Sequence, residues 1–304
     1  MAEQRRAGVP ERDLATGEET TGHEWDGIRE LNTPLPRWWL WTFYGTILWA
    51  LVYVVLYPAW PLVDSATRGV LGYSTRGEVE NAMEAAKEAQ AENLQLVATL
   101  PLEDVASDPA LARFAIAGGR SAFLVNCVQC HGSGAAGSEG YPNLNDDDWL
   151  WGGTLDDIET TIAHGIRFAQ DPETRVSEMP AFGADRMLTR REIEAAAEFV
   201  LLLSGAVHDP SLAAEGEKIY ADNCAACHGE TGSGEAALGA PALGDAIWLY
   251  GADREAIAAQ IHKPRHGVMP AWSHRLDPVT IKQLAIFVHS LGGGRVSAGL
   301  SDAR

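Results

Sequence analysis

Residues 119–131 read GRSAFLVNCVQCH and residues 216–228 read GEKIYADNCAACH. Both follow the pattern Gly-x3-aromatic-x3-Cys-x2-Cys-His, with Gly119, Phe123 and Cys127 in the first copy and Gly216, Tyr220 and Cys224 in the second. A spacing of four puts glycine, ring and cysteine on one helical face. The glycine then lets a second helix cross closely, and the ring stands beside whatever the cysteines hold. The chain contains only 4 cysteines, and these strings use all of them, leaving no thiol for a disulfide framework or a free nucleophile. Zinc ligation, dithiol redox exchange and c-type haem attachment compete for such strings. Zinc pairs stand about 12 to 20 residues apart, against roughly 90 here, and a dithiol motif has no use for an adjoining histidine. Haem attachment uses every residue, because the thiols add to the two vinyl groups and the histidine ligates iron. The expectation is two covalently bound haem c groups, one at Cys127, Cys130 and His131 and one at Cys224, Cys227 and His228.

The repeat continues downstream. Pro142, Leu144, Trp149, Leu150, Trp151 and Gly152 match Pro241, Leu243, Trp248, Leu249, Tyr250 and Gly251. Each copy reaches a Met-Pro, Met179 with Pro180 and Met269 with Pro270, and closes on a helix with Ile193, Phe199, Val200 and Leu203 or Ile281, Phe287, Val288 and Leu291. Thr189 with Glu192 forms a capping box before the first closing helix, and Asp277 precedes Pro278 before the second. Gly205 and Gly292 are placed to end them. Two small all-helical domains follow, 107–206 and 207–295.

Met179 is expected as the sixth iron ligand in the first domain and Met269 in the second, giving the metal ligands His131, Met179, His228 and Met269. Met/His ligation raises the potential of a haem and leaves no open position for substrate. A lone methionine is otherwise core filler, and Met187, without a following proline, is the nearest rival in the first domain. His164 and His266, each followed by glycine, could displace the methionines, contact a haem edge or lie on the surface. Arg167, Arg265 and Arg175 are candidates to pair with haem propionates, or are solvated arginines.

Upstream, Trp38 to Tyr57 holds no charged residue. At about 1.5 Å per residue the run covers the roughly 30 Å hydrocarbon core. Trp38, Trp39 and Trp41 enter it and Tyr53, Tyr57 and Trp60 leave it, as interfacial belts require, and Pro58 and Pro61 stop it. A transmembrane helix is expected over 38–60. A buried core helix is the alternative, but the run is long, apolar on every face and aromatic at both ends, and a cleaved signal peptide would lie nearer Met1 with a small-residue cleavage site. Arg29 and Arg37 on one side balance Arg68 and Arg76 on the other, so the charge rule is silent on orientation. Haem attachment belongs on the oxidising, external side, leaving the N-terminus cytoplasmic. Residues 1–37 are polar, with little fixed structure expected. Residues 64–106 read as a helical connector with Val79, Ala82, Met83 and Ala86 at helical spacing, either packed or a partly mobile stalk.

The 304 residues are 46% hydrophobic with a formal net charge of -19. Such acidity excludes a nucleic-acid partner, for want of basic clusters, and favours a basic macromolecular one. The excess of acidic residues is larger in 107–205 than in 207–295. That basic partner is therefore expected to dock mainly on the first domain, at Asp146, Asp147 and Asp148.

LPRWWLWTFYGTILWALVYVVLYPAWPLV (35–63), GYSTRGEVE (72–80), PNLNDDDWLWGG (142–153), TIAHGIR (161–167), MPAFG (179–183), WLYG (248–251), PRHGVMPAW (264–272) and VHSLGGG (288–294) closely resemble the dihaem CcoP/FixP subunit, subunit III, of cbb3-type cytochrome c oxidases. The resemblance runs from about residue 30 to 294 and is far more specific than CxxCH alone. It implies an all-α protein: one N-terminal transmembrane helix, a helical connector and two tandem class I cytochrome c domains. It also implies a bacterial inner-membrane complex whose copper-haem catalytic subunit reduces oxygen to water and pumps protons, with a monohaem subunit between it and this chain. Electrons would enter from a periplasmic cytochrome c or the cytochrome bc complex. The family pattern places Met179 on the first haem and Met269 on the second, and the carbonyls of Pro142 and Pro241 on the other ring nitrogen of each ligating histidine. One departure is APALGDAIWLYG (240–251), where an asparagine and a more polar turn are expected. The rival functions are the haem subunit of a membrane-bound dihaem peroxidase or dehydrogenase, which needs a haem able to open a site, and a tethered shuttle without a fixed partner.

Overall fold

The structure, a computed structural model, describes residues 10–295. The described residues form eleven α-helices and one two-stranded hairpin, and the chain divides after Glu88 into two units.

In the first unit β1 (Thr20–Trp25) pairs antiparallel with β2 (Ile28–Leu31). Arg29 reinforces the hairpin by binding Glu24 at 2.9 Å and Glu11 at 2.5 Å. This corrects the expectation of little structure before residue 37: the turn at Asp26 and Gly27, both at positive φ, lets a polar segment close on itself. Residues 1–9 lie outside the described residues.

Helix α1 (Arg37–Leu56) follows Pro36 and has no buried residue in this chain. It is the one described helix long and apolar enough to cross a membrane. Its rings stack one turn apart, Trp39 on Phe43 at 5.3 Å, Trp49 on Tyr53 at 5.2 Å and Tyr53 on Tyr57 at 5.0 Å. Helix α2 (Thr75–Thr99) is polar and mostly exposed. Val79 and Met83, expected as an apolar stripe, are 58% and 55% exposed.

In the second unit the end of α2 joins a core. Val97 is buried with Leu102 and Val105 of α3 (Leu102–Ser107), with Leu111 and Ala115 of α4 (Pro109–Asn126), and with Leu155 and Ile286. Lys282 donates to the Leu100 carbonyl at 2.9 Å and fastens the same corner. Each CxxCH string forms one tight turn after a longer helix: α5 (Val128–His131) after α4, and α9 (Ala225–His228) after α8 (Pro210–Asn223). The remaining helices are α6 (Leu155–His164), α7 (Arg190–Leu203), α10 (Arg254–His262) and α11 (Pro278–His289). Thr189 and Glu192 make the capping box of α7, and Asp277 caps α11 with proline in its first turn.

The closing helices are exchanged relative to the two contiguous domains expected from the sequence. Helix α4 packs on α11, and α8 packs on α7. The reason is local: only residues 204–209 join α7 to α8, and so short a link makes them antiparallel neighbours. The longer links 165–189 and 263–277 carry the chain across and back. Glu198 of α7, 2% exposed, binds Arg254 of α10 and accepts from the Asp209 amide at 2.6 Å, tying helix, link and neighbour together.

Candidate functional site

Gly119 and Gly216 set the two helix crossings. A β-carbon on Gly119 would stand 2.1 Å from the Gln283 carbonyl, and one on Gly216 would stand 2.0 Å from that of Ala195. One turn on, Phe123 meets Phe287 at 5.4 Å and Tyr220 meets Phe199 at 5.1 Å. The close approach foreseen for each glycine is present, but its partner is the other copy's helix.

Both motif turns end on a glycine at positive φ, Gly132 at 76° and Gly229 at 77°. Each loop then returns to the histidine. His131 Nδ1 stands 3.2 Å from the Pro142 carbonyl and His228 Nδ1 2.9 Å from that of Pro241. A carbonyl only accepts, so Nδ1 carries the proton and Nε2 keeps its lone pair for a metal. Burial pushes both imidazoles below the usual histidine pKa, against the opposing effect of the carbonyls, which favours the neutral ring a ligand needs. Burial pushes the Cys127 and Cys224 thiols up to about 11, their paired cysteines adding to it. Neither has the depressed pKa of a dithiol redox centre.

The methionines fall on opposite sides from those expected. Met269 packs in the cluster of Phe123, Cys127, Ile158, Ile162 and Leu284. Met179 packs in that of Tyr220, Cys224, Ile193, Ile257 and Ile261. Each travels with its closing helix, so the exchange of α7 and α11 carries the methionines with it. Backbone bonds fix both. Trp272 and Ser273 donate to Ile162 and Ala163 at the end of α6, and Gly183 and Ala184 donate to the His262 carbonyl at the end of α10.

The secondary candidates separate. His262 ends α10 as His164 ends α6, so His266 is not the counterpart of His164. His266 Nε2 accepts from the Met179 amide at 3.2 Å. His164 lies against Asp171 at 3.3 Å, and His274 approaches the same carboxylate at 3.4 Å. Asp171, 5% exposed, thereby joins α6 to the Met269 segment, a role that its place in the polar insert 168–178 did not signal. Arg265 binds Glu139, Tyr250 and Gln260, and Arg167 binds two backbone carbonyls. Arg175 differs. Its Nη2 is 3.3 Å from Asp157, yet its Nε is buried with no partner, the one such side-chain atom among the described residues.

The implied group is haem c, and the residues present fit it. A thioether shares each apolar cluster with a CxxCH thiol, the histidine of each string is held neutral by burial, and a buried, unpartnered arginine donor on the first side suits a propionate. The two motif loops also touch: the Gly140 amide donates to the Leu249 carbonyl at 2.8 Å, and Gly239 lies on the Trp151 ring.

A lipid-length apolar helix, followed by two CxxCH modules each crossed by a closing helix, defines a membrane-anchored c-type cytochrome. Residues 114–200 and 211–288 match the family described as cytochrome c oxidase, cbb3-type, subunit III, and residues 17–64 match the N-terminal domain of cytochrome oxidase-cbb3, FixP. The chain is 56% identical to the cbb3-type cytochrome c oxidase subunit FixP of Rhizobium meliloti (strain 1021), over 93% of this chain and 97% of that one. It is 55% identical to subunit CcoP of Cereibacter sphaeroides, over 90% and 95%, and 51% identical to FixP of Bradyrhizobium diazoefficiens, over 94% and 98%. The chain belongs to the FixP/CcoP family, the cytochrome c subunit of cbb3-type terminal oxidases in the respiratory chain.

Proposed function

We propose that this chain holds two covalent haem c groups and relays electrons through them to the other subunits of a cbb3-type oxidase. The first is attached at Cys127 and Cys130 with His131 and Met269 as iron ligands, the second at Cys224 and Cys227 with His228 and Met179. The observation that carries this reading is the packing of Met269 and Cys127 on one apolar cluster and of Met179 on the other, which contains Cys224. Haem supplies the one-electron couple. The chain's own residues would do the rest: Pro142 and Pro241 orient the histidines, each methionine would close the position a substrate needs, and Arg175 would offer its free donor to a propionate of the first group. Two closed sites suit electron transfer and not peroxide chemistry.

The anchor α1 lies in a bacterial inner membrane with the N-terminus cytoplasmic and the cytochrome modules periplasmic, where haem attachment and an acidic surface belong. Electrons arrive from a basic soluble cytochrome c or the cytochrome bc complex and leave towards the monohaem and catalytic subunits. Asp146 and Asp148 of the first copy lie close enough to Asp245 of the second to interact, so the acidic docking surface spans both copies. The test is purification of the complex in mild detergent, with a haem stain and ferric absorption spectra. Two covalent haems per chain, each with a thioether-to-iron charge-transfer band, and co-purifying oxidase activity are expected; one haem, or a band from one only, would overturn the reading.

A further inference from the structure

The two methionine segments are held by one arginine. Ile166 bridges Arg175 in parallel and Met269 antiparallel. The Ile166 amide donates to Met269 at 2.9 Å, the Met269 amide returns the bond at 3.0 Å, and the Arg167 amide donates to Arg175 at 2.8 Å. Gly165 permits the contact, since a β-carbon there would stand 2.2 Å from the Met269 carbonyl. Arg167 has a φ of 50°, the left-handed region that a residue with a β-carbon enters only when its surroundings hold it. In that conformation its Nε donates to the Gly267 carbonyl and its Nη1 to the Ser177 carbonyl, each at 2.8 Å. Gly267 lies two positions before Met269, and Ser177 two positions before Met179.

We propose that Arg167 is a shared positioning residue, a single guanidinium that holds the approach of both methionines and so couples the two iron coordination spheres. This rests on the reading of Met269 and Met179 as sixth ligands. The geometry asks for arginine. Its rigid fork presents donors to two carbonyls at once and stays charged although partly buried, whereas a lysine ammonium offers a single point of attachment. A methionine leaves its iron only if its segment moves, and each segment is restrained by a hydrogen bond from the same charged group. Loss of one such bond per segment weakens the restraint about tenfold at each site.

The experiment uses R167A and R167K in the intact oxidase complex, with imidazole as the competitor for each methionine. Binding at the two ferric haems is followed by loss of the thioether-to-iron band and covalent haem content by haem stain. With two haems retained, R167A is expected to bind imidazole about tenfold more tightly at both haems, and R167K to fall between it and the parent. Tightening at one haem only, or at neither, overturns the proposal. Should R167A fail to accumulate, R167K decides by the same criterion. Failure of the underlying ligand reading is distinguishable, because the parent complex would then lack one or both bands before any substitution.

Discussion

Gly119 lies against the carbonyl of Gln283, so closely that a β-carbon would stand 2.1 Å from it. G119A is therefore expected to destabilise. Overpacking costs about 1–3 kcal/mol, more than the roughly 1 kcal/mol that alanine gains over glycine in a helix. Thermal unfolding should show a lower midpoint, and the Met269 charge-transfer band should weaken before that of Met179. G216A, facing Ala195, should reverse that order.

The crossed ligand assignment is checked by removing one haem at a time. In a C224S/C227S chain, M269L should abolish the thioether band of the remaining haem and M179L should leave it intact. A C127S/C130S chain should give the opposite result. Preservation of the band in the C224S/C227S M269L variant would return Met179 to the first haem.

Arg175 offers an unpartnered buried donor on the first side. A cation beside a haem edge favours the reduced form, so R175Q should lower the potential of the first haem by up to roughly 60 mV, the one-electron equivalent of a tenfold change. A two-component redox titration reads this directly, and the second haem should not move.

Burial, then the charges of Asp245 and Asp146, pushes Asp148 up to about 6, with Arg295 opposing. A carboxyl whose folded pKa is raised favours the folded state while protonated, and that advantage is lost as pH rises through about 6. D148N should therefore stabilise the protein at pH 8 relative to pH 5, by about 1 kcal/mol after allowance for solvent screening. Docking has the opposite sign. The association rate with a basic cytochrome c should rise between pH 5 and 7 in the parent, and D148N should flatten that rise.

Much of this arrangement was legible because local chemistry is written in adjacent residues. The CxxCH turns, the caps at Thr189 and Asp277 and the charge-free run of α1 are short-range features that no tertiary contact revises. The glycine, aromatic and cysteine spacing also revealed a crossing helix, although not whose. That choice belongs to residues 204–209, whose brevity pairs α7 with α8, and link length was the one signal that could have exposed the exchange. The hairpin at Thr20–Leu31 was missed because its strands are polar and give no hydrophobic alternation. Asp171 and Arg167 were missed as cross-links for a different reason: each joins segments far apart in sequence, and neither residue type nor spacing names a distant partner.

The exchange of closing helices also fixes an order of manufacture. The first CxxCH turn emerges early, whereas α11 and Met269, which pack on the cluster around it, emerge only after the second CxxCH turn has been made. A chain stopped after residue 206 would thus hold α4 without α11 and α7 without α8. On the haem reading proposed above, the first attachment site would stay open to whatever machinery delivers its cofactor until α11 arrives.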